Sequence, residues 1–163
     1  MALELSSAER NTLMGGPLAA AMAVMAVDMG IFSSAQEAIA LGRQLAGAAE
    51  RYASNPLIAG LFDPEALKQG IQPQKLEVTP EEVRDGKLLD RALEQIDGAV
   101  ALARTKTDDA SVKQYCQLIV EGCEAVAEAA GAGLFGSGEK VSTAEKAALD
   151  RLRQHLGVAA TSV

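Results

Sequence analysis

The chain has 163 residues, of which 48% are hydrophobic and 23% charged, and its net charge is −7. That length suits one domain able to bury roughly two-thirds of its unfolded surface. The acidic balance, with no cluster of Lys and Arg, excludes a surface that tracks nucleic-acid phosphates and disfavours anionic membranes. Only 3% of residues are aromatic and none is Trp. The core must therefore be built from Ala, Leu, Val, Ile and Met, a palette that favours helices over sheets.

The first elements are read between Ser6 and Val27. Ser6…Glu9 fits S/T-x-x-E, in which the hydroxyl caps an amide and the glutamate reaches back to the cap. Gly15-Gly16-Pro17 then predicts a break between a short first helix and a second, over 17–29. From Pro17 to Val27 there is no polar side chain. This apolar run is too short for a membrane span, which needs about 20 residues. The first ten residues lack the positive charge of a signal peptide. Helix 17–29 is expected to be buried on all sides at the centre of a soluble bundle, and the cytoplasm is the expected location. Met22, Met25 and Met29, at i, i+3 and i+7, read as core filling.

A second capping box, Ser34…Glu37, opens a helix over 35–53 with Ala38, Leu41, Leu45, Ala48 and Tyr52 on one side. Four of the five prolines then fall between Pro56 and Pro80. Residues 55–79 read as a connector holding one short helix, started at Asp63-Pro64. This divides the chain into an N-terminal half, 1–54, and a C-terminal half, 80–163. Both carry apolar stripes and are expected to share one core.

Thr79…Glu82, with Pro80 at the first helical position, predicts a helix over 80–104. Asp108 or Asp109 caps the next, over 110–130. Cys116 and Cys123 share a face of it about 10 Å apart along the axis, too far for a disulfide. Ser142…Glu145 opens the last helix, 143–156, and Gly157 is its expected stop. The sole histidine, His155, falls in that helix's last turn, where a cation suits the dipole. "GAGLFG" at 131–136 satisfies G-x-G-x-x-G literally, but a helical pattern rather than a strand precedes it, which argues against dinucleotide binding.

The two halves also resemble each other. "GIFSS" (30–34) matches "GLFGS" (133–137), and each is followed by E-x-x-A-L-x-R, at Glu37–Arg43 and Glu145–Arg151. The unit is helix, Gly-aliphatic-Phe turn, capping box, helix. Phe32 and Phe135 are expected to plug equivalent points of a pseudo-twofold bundle.

"AVDMGIFSSAQEAI" (26–39) and "GLFGSGEKVSTAEKAALDRLRQHLGV" (133–158) resemble the turn-and-cap units of the TerB family of tellurite-resistance proteins. The resemblance implies an acidic all-helical bundle that associates with metal through carboxylates near the helix turns. Asp28 would take the acidic position and Glu37 that of the capping glutamate, holding Ca²⁺ or Mg²⁺.

The expectation is a single all-α domain, a bundle of six or seven helices. With one His, and both Cys on one helix, the chain offers little for His-dependent or thiol chemistry. The leading functional expectation is a non-enzymatic module for protein–protein interaction or self-association. The alternative is a divalent-metal or small-ligand binding protein of TerB-like type through Asp28 and Glu37.

Overall fold

A computed structural model describes residues 2–27, 34–133 and 141–160, with side chains for all of these except 34–40 and 130–133. The described residues form an all-α bundle. Five long helices, α1 (Ser7–Ala26), α2 (Ser34–Arg51), α6 (Leu88–Lys106), α7 (Asp109–Gly133) and α8 (Thr143–Leu156), are joined by three short ones. The short ones are α3 (Pro56–Leu61), α4 (Pro64–Lys68) and α5 (Pro80–Arg84). Eight helical segments thus replace the six or seven expected, through one fusion, one split and one addition.

The fusion is α1, which runs through Pro17 without a break. A proline inside a helix leaves the carbonyl four residues back without its amide partner, here that of Leu13. The Tyr115 hydroxyl, fully buried, supplies the missing donor at 2.5 Å from the Leu13 oxygen. Gly16 admits that hydroxyl. A Cβ there would lie 2.8 Å from Tyr115 Oη and 3.2 Å from the Ala99 Cβ. The Gln95 amide donates to the carbonyl of Gly15 at 3.0 Å, so a second side chain supports the same turn.

The split falls within the predicted helix 80–104. Gly86, in the left-handed region at φ +69°, stops α5, and the Lys87 amide closes the turn on the Glu82 carbonyl at 2.8 Å. Left-handed backbone is the usual device for ending a helix on glycine. Arg91 then pins α5 back onto α6 through Glu82 at 2.6 Å.

The addition is α3, in the proline-rich connector. Leu57, Ile58 and Leu61 are fully buried, so the segment contributes to the core rather than merely joining the halves. Asn55 caps α3 by accepting from the amides of Leu57 and Ile58. Its own amide donates to the Ser111 carbonyl at 3.0 Å and to Gln114 Oε1 at 2.8 Å, bolting the connector to α7.

Three capping boxes form with both bonds in place, at Ser6–Glu9, Thr79–Glu82 and Ser142–Glu145. Asp108, rather than Asp109, caps α7, accepting from the Ser111 amide at 2.8 Å. Gly157 ends α8 at φ +65°, as expected. The box at Ser34–Glu37 rests on side chains outside the described ones, although α2 does begin at Ser34.

One apolar cluster joins Leu13 and Val24 of α1, Leu45 of α2, Leu57 of α3, Ile96 of α6, Ile119 of α7 and Leu152 of α8. α1 packs against α6 and α7, and α2 lies along α7. α8 touches α1, α6 and α7. Each proposed repeat unit thus lays its second helix on the first helix of the other. The turns at 28–33 and 134–140, with Phe32 and Phe135, lie outside the described residues.

Helix α1 is not buried on every side. Met22 is 42% exposed, while Met25 packs at the core's edge, so the methionine stripe is only partly core. No described helix is long and apolar enough to cross a membrane.

Candidate functional site

On one flank of α1 the packing is incomplete. Ala19 and Ala23 are covered by Leu88 and Ala92 of α6 in a small cluster of their own. One turn further along, beside Ala26 and Val27, a groove of about 560 Å³ opens between the end of α1, the α5–α6 junction and the start of α8. Its α8 wall is Ala144, Ala147 and Ala148, and its lip is Val83, Arg84 and Gly86. Leu88 and Leu89 bring α6 into the lining.

Local sequence fixes each wall. The Gly86 stop bends α5 out of the line of α6 and carries Val83 and Arg84 to the lip. Glu82 serves both its capping box and Arg91. The Thr79 amide first, and then the guanidinium, hold its carboxyl below the usual range. On the opposite side, the Ser142–Glu145 box sets the first turn of α8, with Glu145 buried. Arg151, which lines the groove, reaches across to Asp90 of α6.

The charge of the lining runs against that of the chain. Among the described residues its two charged ones are both arginines, Arg84 and Arg151, in a protein with 22 acidic and 15 basic residues. Arg151 is paired, whereas Arg84 is exposed and makes no ion pair or hydrogen bond with any described residue.

Two polar clusters lie elsewhere. On α7 the Glu121 carboxylate accepts from Tyr52 at 2.8 Å, Arg51 at 3.1 Å and Gln44 at 3.2 Å, clasping α2 to α7. Partial burial, and then this carboxylate, push the Tyr52 hydroxyl up to about 12. Every donor in that cluster is thereby committed to holding the helices together. A smaller cavity of about 360 Å³ lies between α7 and α8, lined among others by Glu124, Glu128, Lys146 and Arg153. There Arg153 bridges Glu124 and Asp150.

The sequence-predicted metal pair straddles the α1–α2 junction. Asp28 lies outside the described residues, and Glu37 is placed on α2 by backbone alone. Among the described residues no group of three His, Cys, Asp or Glu side chains is placed to hold a metal ion. Glu145 is occupied by its capping box. Cys116 and Cys123 are free and buried, and burial raises both thiols above the ordinary range. His155 meets Asp97 of α6 at 2.7 Å, so it ties α8 to α6. Gly131 and Gly133 of "GAGLFG" belong to α7, a helix of 25 residues, so no strand delivers the glycines to a pyrophosphate.

No family model, curated protein or solved structure matches the chain. The groove is the feature that residue-by-residue reading missed. Val83 and Arg84 carry no motif, Arg151 enters only through the internal repeat, and the one local signal was Asp85-Gly86, a turn dipeptide inside a stretch that otherwise reads as one helix.

Proposed function

We propose that the chain is a non-enzymatic binding module whose site is the groove between α1, α5, α6 and α8, and that its occupant is a small, mainly apolar ligand. The carrying observation is the groove itself. A concave, apolar space of about 560 Å³ with few polar groups has the size and lining typical of small-molecule sites.

The test is titration with a neutral, environment-sensitive apolar fluorophore, N-phenyl-1-naphthylamine, against the wild-type chain and Ala147→Phe. Ala147 is exposed on the α8 wall, so the larger ring fills the groove with a stability change within about 0.5 kcal/mol. Saturable binding at one site, lost in Ala147→Phe, supports the reading. Binding that is absent, or equal in both chains, removes it.

A second reading, association with a protein partner or a second copy, draws on the exposed side chains of Met22, Leu67 and Val83. Sedimentation over a dilution series tests it, with Val83→Glu as the variant. A concentration-dependent mass that Val83→Glu lowers is the supporting result. A monomer at every concentration, recovered without a partner, counts against it.

A further inference from the structure

Resting on the groove as the binding site, we infer that its ligand is an anionic amphiphile, a linear alkyl chain ending in a carboxylate, with the alkyl chain in the alanine-lined slot and the headgroup at Arg84.

Three observations converge on this class. The first is shape. Alanines from α1 and α8 face the groove, at Ala23, Ala26, Ala144, Ala147 and Ala148. Short side chains on facing helices leave a slot rather than a bowl. Such a slot suits a thin flexible chain.

The second is charge. A neutral apolar ligand gives no reason for both charged lining residues to be cationic in so acidic a chain. Among the described residues, the lining offers a cationic ligand two guanidinium groups and no carboxylate. Asp90 is already held by Arg151. The headgroup therefore carries negative charge, and a guanidinium is suited to receive a carboxylate through paired N–H donors.

The third is the state of the two arginines. Arg151 is fixed by Asp90 and serves as a wall, while Arg84 is exposed at the lip with no described partner. The guanidinium that has no described partner thus lies at the solvent end of an apolar slot. An amphiphile has the same order, with its tail inside and its head at the water boundary. Burying the tail's methylenes away from water supplies the affinity. Arg84 decides which headgroup is accepted.

The experiment displaces bound N-phenyl-1-naphthylamine with dodecanoate, dodecan-1-ol and dodecylammonium, each below its micelle concentration. Dodecanoate is expected to compete best, by about two- to fivefold over the alcohol, the range for one exposed ion pair. Dodecylammonium is expected to compete least. Arg84→Gln abolishes the carboxylate preference and Arg84→Glu reverses it in favour of the ammonium, each read as a ratio of competitors against that variant's own probe affinity. Raising the salt concentration shrinks the preference without removing the tail's contribution.

Displacement that is indifferent to headgroup, with probe binding still lost in Ala147→Phe, overturns this inference and leaves the groove as an apolar site. Probe binding untouched by Ala147→Phe overturns both. Carboxylate preference that persists in Arg84→Glu overturns the assignment of the headgroup to Arg84.

Discussion

Helix α1 carries small side chains along two flanks, and the flanks end differently. Toward the core, Gly16 is met by Tyr115 and Ile119 of α7 and by Ala99 of α6, and Ala20 and Val24 are fully covered. Toward α6 and α8, Ala19 and Ala23 are covered by Leu88 and Ala92, and beyond them the helix faces the groove. Small residues therefore do two opposite things on one helix. Where a neighbour supplies a large side chain, they permit close packing. Where the α8 wall also presents alanine, at Ala144, Ala147 and Ala148, they leave space. The closed flank is a folding device and the open flank a place for something else.

This contrast can be broken most forcefully on the closed flank. Ile119→Ala removes a fully buried side chain between α1 and α7 and is expected to cost about 2–5 kcal/mol, read from urea denaturation. Ala147→Phe, on the open flank, should leave the same midpoint nearly unmoved. Equal losses at both sites would mean that the groove is as tightly specified as the core. Tyr115→Phe is the next largest effect. It deprives the Leu13 carbonyl of the donor that replaces the absent Pro17 amide, at an expected cost of about 1–3 kcal/mol. Its α1 amides should also exchange faster around Pro17, whereas those at the groove end should not.

The smallest effect is that of acid. Glu9, Glu82 and Asp108 are held below the ordinary carboxylate range, Glu9 at about 2. Lys106 is the main cause for Glu9, and backbone amides are the main cause for the other two. The folded state thus binds these protons less readily than the unfolded chain does. Their contribution is complete above the unfolded values and is lost as the pH falls through the folded ones. Thermal midpoints should hold level down to roughly pH 5 and decline below it. A midpoint that rises on acidification would contradict this. Glu82→Gln should flatten part of the decline and loosen α5 at the lip of the groove.

Much of the helical framework could be read from residue order because its determinants are local. A hydroxyl and a glutamate three residues apart specify a helix start wherever they occur, and three such boxes form as the spacing predicts. Gly157 and the caps at Asp63 and Asp108 obey the same logic. The errors fall where a local rule met a distant partner. Gly15-Gly16-Pro17 reads as a break because the compensating hydroxyl of Tyr115 is 102 residues from the carbonyl it serves. The connector reads as a linker because the burial of Leu57 and Ile58 depends on α7. The split at Gly86 had a local signal that was overridden by continuous apolar spacing. The metal pair Asp28 and Glu37 rests on two carboxylates flanking a helix turn and on the family resemblance, and neither side chain is among those described.

By itself, the sequence determined the helical class, most helix ends and the burial of the cysteines. These follow from hydrogen bonds within a few residues and from the period of apolar side chains. Only the tertiary structure decided that α1 passes through its proline and that α5 turns away from α6. It also brought alanines from two helices and two arginines around one groove. Those outcomes depend on which side chains meet across long separations, and residue spacing along a single helix carries no record of what stands opposite.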